Sequence, residues 1–393
     1  MATTAELTRE YPGHPIFSFG FRPFFLFSAI WAAVAVPIWI AALSLGDGMV
    51  GAADGRVWHV HEMLFGYLGG VIAGFLLTAV PNWTGRLPVT GAGLAGLFSL
   101  WLAGRVAGFA PASLALPAAA VDAAFLIVFA AVVWREVLAA GNRRNLPICL
   151  MVTALAAANV AFHLKGLFPE IVPGAERAAV AVIIGLVALI GGRVTPSFTG
   201  NWIKAQGIAS RPAPFGRFDQ ATLAFTGVAL VAWVAAPYAV VSGVLMIVAG
   251  VGHAGRLLRW RGWLARREPL VWILHAGYAW IPVGLVLLGL SAVVPAVVPF
   301  TAGVHALTAG AMGVMTLAMM TRATRGHTGR PRVADRPTSL IYGAVLLAAV
   351  VRVCAPFHLD WSPVLLAVSA LLWSVAFLGF AVAYGPMLLR RSL

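Results

Sequence analysis

Charge is what this chain of 393 residues most lacks. Charged side chains make up 10% of it, against roughly a quarter in a soluble globular domain. So few cannot cover a water-facing surface, and the same shortage excludes a disordered chain or a coiled coil. Acidic residues are the scarcer sign, 13 against 27 basic ones. Only two cysteines occur, Cys149 and Cys354, which rules out a disulfide-stapled secreted scaffold. The loops lack a Walker motif, a dinucleotide fingerprint and a Ser-His-Asp pattern. The formal charge of +14 invites a nucleic-acid reading. Its cations fall between apolar runs, where they orient helices, so no nucleic-acid partner is expected.

What is present is apolar surface. At 61% hydrophobic the chain holds about 240 apolar residues, enough for about twelve spans of ~20 residues each. Runs of that length lie near 24–45, 60–81, 89–107, 114–138, 147–166 and 177–195, and near 220–236, 238–260, 270–291, 299–321, 338–354 and 362–388. The fold class is an all-α polytopic membrane protein with twelve transmembrane helices. It forms a single transmembrane domain, 1–393, with an interfacial N-terminal segment, 1–23. Within and just beyond that segment, HPIFSFGFRPFF (14–25) is rich in aromatics and suits the membrane interface. The first apolar run is of span length and follows Arg22, so it reads as a retained anchor and not a cleaved signal.

Twelve spans put alternate connections on alternate sides. One side collects 22 of the 27 basic residues; the other holds Arg56, Arg105, Lys165, Arg177 and Arg352. That asymmetry predicts a multi-pass protein of the bacterial inner membrane with both termini in the cytoplasm. On this topology Cys149 and Cys354 lie on opposite sides and cannot pair.

Three helix ends on the basic side carry related text: PNWTGR (81–86), PSFTGN (196–201) and GHTGRP (326–331). Helices 3 and 11 both place an arginine at their outer end, Arg105 and Arg352, while the middle unit has none. The spacing suggests a four-helix unit used three times, over about 1–140, 141–265 and 266–393. Such a layout resembles the pseudo-threefold main subunit of haem-copper oxidases, whose haem ligands come from helices 2 and 10. Fold analogy alone does not carry function.

An ionisable residue inside a span is costly and therefore a functional candidate. His59 and His61 open helix 2, His163 closes helix 5, His305 sits about a turn into helix 10, and His358 follows helix 11, all toward the outer face. His253 and His275, in helices 8 and 9, belong with His14 and His327 to the other side. In WHVHEMLFG (58–66) the histidines are two apart and point to different faces, so they do not chelate one metal as a helical pair. One serves as a ligand with the other beside it, or each serves its own metal, and Glu62 is placed to orient an imidazole. The stripe Gly66-x3-Gly70-x3-Gly74 admits a neighbouring helix or a flat macrocycle. A bis-histidine haem would take one ligand from helix 2 and one from helix 10, with Arg105 and Arg352 as forked partners for its propionates. His163 is the best further outer copper candidate and His275 a second one in the other leaflet. Met312, Met315 and Met319 form a stripe that is more often packing than a copper site. Glu62 and Asp122 are the clear carboxylates within spans, too few for a proton relay, so a pump is not expected.

The strings WHVHEMLFG, GFLLTAVPNWTGR (74–86), GGRVTPSFTGNW (191–202), REPLVWILHAGYAWIP (267–282), HALTAGAMG (305–313) and RGHTGRP (325–331) resemble the NnrS family along nearly the whole chain. The resemblance implies haem, copper and a part in nitric oxide metabolism or protection from nitrosative stress. It implies membrane lipid and a small ligand such as nitric oxide as partners. It leaves open whether the chain turns over a substrate. A different class, a twelve-helix transporter of a metal, a haem-related compound or a small solute, is suggested by the many intrahelical glycines and by Pro37 and Pro282.

Overall fold

The computed structural model describes residues 11–46, 50–51, 54–166, 168 and 172–393. Among these residues the chain is helical without strands, and it runs through twelve main helices. They are α1 (Phe21–Leu45), α2 (Gly55–Thr84), α3 (Gly91–Ala107), α4 (Ala115–Ala139), α5 (Leu146–Lys165) and α6 (Ala175–Ala205). The remainder are α7 (Arg217–Ala235), α8 (Val240–Arg259), α9 (Pro269–Val293), α10 (Phe300–His327), α11 (Arg336–Cys354) and α12 (Ser362–Leu389). Eleven of these segments are long and apolar enough to cross a membrane, and α3 is a shorter apolar helix. Every expected span is therefore a helix. Three run clearly further than their apolar stretch, α2 from Gly55, α6 to Ala205 and α10 to His327, because hydrogen bonding within a helix does not stop where hydropathy does.

Local chemistry explains the ends. Asp54 caps α2 by accepting from Arg56 N (2.9 Å) and Val57 N (3.1 Å), and Asp335 caps α11 through Thr338 N (3.0 Å). These side chains satisfy amides that the first turn leaves without a carbonyl. Gly85 closes α2 at φ 70°, a left-handed conformation that glycine adopts without strain. The three Thr-Gly pairs share one bond: Thr84, Thr199 and Thr328 each donate to the carbonyl four residues back (2.8, 2.8 and 2.6 Å). The middle pair lies inside α6, whereas the others end their helices.

The chain forms two compact units. One comprises Met1–Ala179 with Met320–Pro331 and Phe377–Leu393; the other comprises Val180–Met319 with Arg332–Ala376. This grouping is by contact, and a threefold repetition of sequence is a separate matter. In the first unit the aromatic N-terminal stretch turns inward. Phe19, Phe21, Phe24 and Phe25 are buried, and α1 already begins at Phe21. Arg22 is buried as well, donating to the carbonyls of Leu388 (2.8 Å) and Arg390 (2.6 Å) at the end of α12. In the second unit α8 packs along α9, where Gly243 and Gly289 let the backbones approach closely.

Candidate metal centre

The site is built on the first turns of α2, where the helix changes pitch. From Glu62 to Tyr67 it widens into a π turn, with Leu68 N bonded to Met63 O, five residues back. Such a turn leaves a carbonyl without its usual partner, and Trp101 Nε1 on α3 donates to Gly66 O (2.9 Å). Single π turns concentrate at functional sites because they re-aim side chains from within a stable helix.

His61 is held at both ring nitrogens. Nδ1 donates to Glu62 Oε1 (3.0 Å); Nε2 lies 3.0 Å from Asp122 Oδ2 and 3.2 Å from Asn159 Oδ1. Asp122 stands on α4, and Asn159 on α5 also donates to Asp122 Oδ2 (2.9 Å). One turn further along α5, His163 Nε2 lies 2.9 Å from the same oxygen. Arg105 on α3 donates one guanidinium nitrogen to Glu62 and the other to Asp122. Trp31 Nε1 completes Glu62 (2.8 Å). Since His61 faces only acceptors, its ring is doubly protonated in this arrangement. Two carboxylates, one guanidinium and one imidazolium then sum to zero, the condition under which a buried ionic cluster is tolerable. Glu62 is fully buried, and His61, Arg105 and Asp122 nearly so.

Three glycines make the room. A methyl group on Gly66 would run into Arg105, one on Gly104 would lie 2.8 Å from Asp122 Oδ1, and one on Gly108 would lie 2.9 Å from Glu62 Oε1. The remainder of the α2 stripe is filled by the protein itself: Ser28 and Trp101 lie against Gly70, and Phe24 and Phe25 against Gly74. Side chains of neighbouring helices take the space in which a macrocycle was considered.

Nitrogen and oxygen donors of His61, His163 and Asp122 lie within 4.8 Å of one another. Among the described residues no other group of three such side chains is this close. Metal–nitrogen bonds of ~2.0–2.1 Å place tetrahedral ligand atoms roughly 3.3 Å apart, so small side-chain shifts would seat an ion. Two imidazoles and a carboxylate suit a first-row transition metal, copper included. Glu62 behind His61 supplies the outer carboxylate that commonly orients a ligating ring. Haem does not fit here, because both imidazoles meet one carboxylate oxygen and no plane separates them.

The remaining sequence candidates lie elsewhere. His59 turns from His61 and stacks on Trp39, with centroids 4.1 Å apart and planes at 20°. Arg105 spends its fork on two carboxylates of the chain, in place of the propionates expected for it. His305, in the second unit, bonds through Nδ1 to Thr301 O (2.8 Å). His275 bonds to Thr199 Oγ1 (2.7 Å). Met315 packs on Gly191 and Gly277, so the methionine stripe is core. Both cysteines are free, Cys149 buried and Cys354 exposed.

Sequence reasoning missed Asp122 and Asn159 as partners of His61. The available signal was an asparagine one turn before His163 on the same helix face, and a lone aspartate in an apolar span. It also missed a second buried network, within the other unit. There Arg256 donates to Asp219 Oδ1 (3.0 Å) and to Tyr278 Oη (2.5 Å). Tyr278 lies 2.8 Å from His253 Nδ1, and His253 Nε2 lies 3.0 Å from Thr226 Oγ1. Directions follow by elimination. Thr226 gives its proton to Thr222 O (2.7 Å), so it accepts from His253 Nε2. Arg256 cannot accept, so Tyr278 donates to His253 Nδ1. His253 is thereby held neutral.

These features define a class: an all-helical polytopic membrane protein with an ionic His–carboxylate cluster buried among its first five helices. The sequence profile of the family described as NnrS protein matches residues 15–392, and the chain belongs to the NnrS family. A comparison with curated proteins finds no match.

Proposed function

We propose that this protein is a metal-binding protein of the bacterial inner membrane that takes part in nitric oxide metabolism or protection from nitrosative stress. The observation that carries the reading is the convergence of His61, Asp122 and His163 on one point. Copper is the ion that the resemblance implies and that this donor set accepts. Haem is the second cofactor the resemblance implies. Both termini are read as cytoplasmic, supported by the one-sided distribution of arginine.

Each residue has a definable task. Glu62 holds Nδ1 of His61, which turns Nε2 toward the ion. Arg105 fixes one oxygen of Asp122 and leaves Oδ2 to the imidazoles. Phe65 and Phe162 lie with ring centroids 5.3 and 5.4 Å from that of His61 and keep water from one side. The His163 side chain, 24% exposed against 9% for His61, marks the side from which an ion or small ligand enters. Copper held there by His61, His163 and Asp122 would supply one-electron chemistry to a small ligand such as nitric oxide.

The test is metal analysis of protein purified in detergent. Wild type is expected to hold about one copper per chain, and His61→Ala and His163→Ala at least fivefold less. Equal copper in all three would overturn the reading.

A further inference from the structure

On the side that collects the basic residues, one acid stitches together two connections of the second unit. Glu268, buried just before α9, accepts from Leu270 N (3.0 Å) in its own first turn and from Ala334 N (3.2 Å) just before α11. The turn ahead of it is packed as well. Gly262–Ala265 forms a 3-10 turn, and a methyl group on Gly262 would run into the ring of His275. The two connections therefore make a fixed platform at the starts of α9 and α11.

Four arginines stand within two residues of that stitch: Arg266 and Arg267 precede Glu268, and Arg332 and Arg336 flank Ala334. All four are exposed, and none has a hydrogen-bond, ion-pair or ring partner among the described residues. Neighbouring cations are already engaged, Arg259 with Asp219 and Arg261 with Ser210 Oγ. The local acids do not answer the four charges. Glu268 is spent on backbone amides, and Asp335 caps α11 through Thr338 N (3.0 Å) and Thr338 Oγ1 (2.5 Å). Four guanidinium groups against two carboxylates leave an excess of two positive charges. Like charges held this near repel one another, so an anion placed among them stabilises the platform. Two helix N-termini add partial positive charge in the same place.

Apolar surface adjoins the cations. Trp263 is 55% exposed in the turn, Trp272 40% exposed one turn into α9, and Leu340 74% exposed one turn into α11. Aromatic rings beside arginine mark the headgroup level of a membrane, with acyl chains further along the helices. A free inorganic anion has no use for that apolar band. A lipid uses both parts, its phosphate on the guanidinium forks and its chains on the helix faces.

We infer that this platform binds an anionic phospholipid with two phosphates, one held by Arg266 and Arg267 and the other by Arg332 and Arg336. Two phosphates match the excess of two charges, and each side of the stitch presents two arginines. The lipid then reinforces the Glu268 bond between the starts of α9 and α11. The site is separate from the copper centre, which belongs to the first unit.

The experiment is thermal unfolding of the full-length protein in neutral detergent, titrated with diphosphatidylglycerol, with native mass spectrometry counting the lipid retained. Wild type should be stabilised and keep one such lipid; phosphatidylcholine and inorganic phosphate should do neither. Arg267→Gln with Arg332→Gln should bind the lipid at least fivefold more weakly, while melting no lower than wild type without it. Changing the same two arginines to lysine should restore part of the binding, since charge returns without the fork. Arg143→Gln with Arg144→Gln removes equal charge from an exposed connection of the first unit and should bind as wild type does. Equal binding by wild type and the Arg267–Arg332 variant overturns the site. An equal loss in the Arg143–Arg144 variant overturns it too, because the attraction would then be general to basic loops. Stabilisation by inorganic phosphate alone, or by polyglutamate and not the lipid, also overturns it, the latter in favour of an acidic protein partner.

Discussion

Nε2 of His61 lies 3.0 Å from Oδ2 of Asp122, across 61 positions of sequence and between two helices. His163 meets the same oxygen from a third helix. Three helices thus depend on one carboxylate, which is why the consequences of altering it are large.

Asp122→Ala leaves Arg105 and His61, two cations, with Glu62 as their one shared acid. Removing one partner of a buried ion pair costs about 3–5 kcal/mol. Thermal unfolding in detergent is expected to fall markedly, with copper lost as well. Adding Arg105→Gln to Asp122→Asn should recover part of the stability, since the second change removes the stranded charge, but no copper. A double variant no more stable than Asp122→Asn would contradict the charge balance drawn for the cluster.

Gly66→Ala inserts a methyl group into the guanidinium of Arg105. Overpacking of this kind costs about 1–3 kcal/mol, and displacing Arg105 displaces Asp122, so copper occupancy should drop too. Gly96→Ala on α3 meets nothing within 4 Å and serves as the control. Equal stability and copper in the two variants would argue against the close fit at α2.

Tyr278→Phe removes the hydroxyl that accepts from Arg256 and donates to His253. Buried groups left without a partner cost about 1–3 kcal/mol, and the melting temperature should fall accordingly. Copper binding should not change, because the network belongs to the second unit and the His61 site to the first. A loss of copper would give this network a further role.

Arg22→Met withdraws a buried cation from the carbonyls that end α12. The residues after Leu389 should then be cleaved faster by trypsin, which has Arg390 and Arg391 to act on. Mass spectrometry of a timed digest measures the rate; an unchanged rate would mean that the clamp is not what holds the tail.

Orientation has its own check in the two thiols. Cys354 is exposed near the end of α11 and Cys149 is buried in α5. A membrane-impermeant maleimide added to intact spheroplasts should label Cys354 alone. Labelling that requires lysis would reverse the assignment of sides.

Legibility fell along a clear line. Each helix could be read because an apolar run reports on the chain locally, and the small overruns of α2, α6 and α10 come from backbone bonds that hydropathy does not register. Glu62 could be assigned to orient an imidazole because it is adjacent to His61. Asp122 could not be joined to either histidine, since nothing in the spacing from 61 to 122 to 163 encodes a 3 Å approach. Arg105 was read by its position at a helix end, and only its contacts showed a cation already satisfied.

The amino-acid sequence by itself determined the twelve-helix class and the family, because span length, apolar content and long contiguous motifs are properties of one dimension. Only the tertiary structure decided that His61 joins His163 and Asp122 while His59 stacks on Trp39. Chelation depends on distances between helices, and those are set by how glycines, rings and buried charges pack.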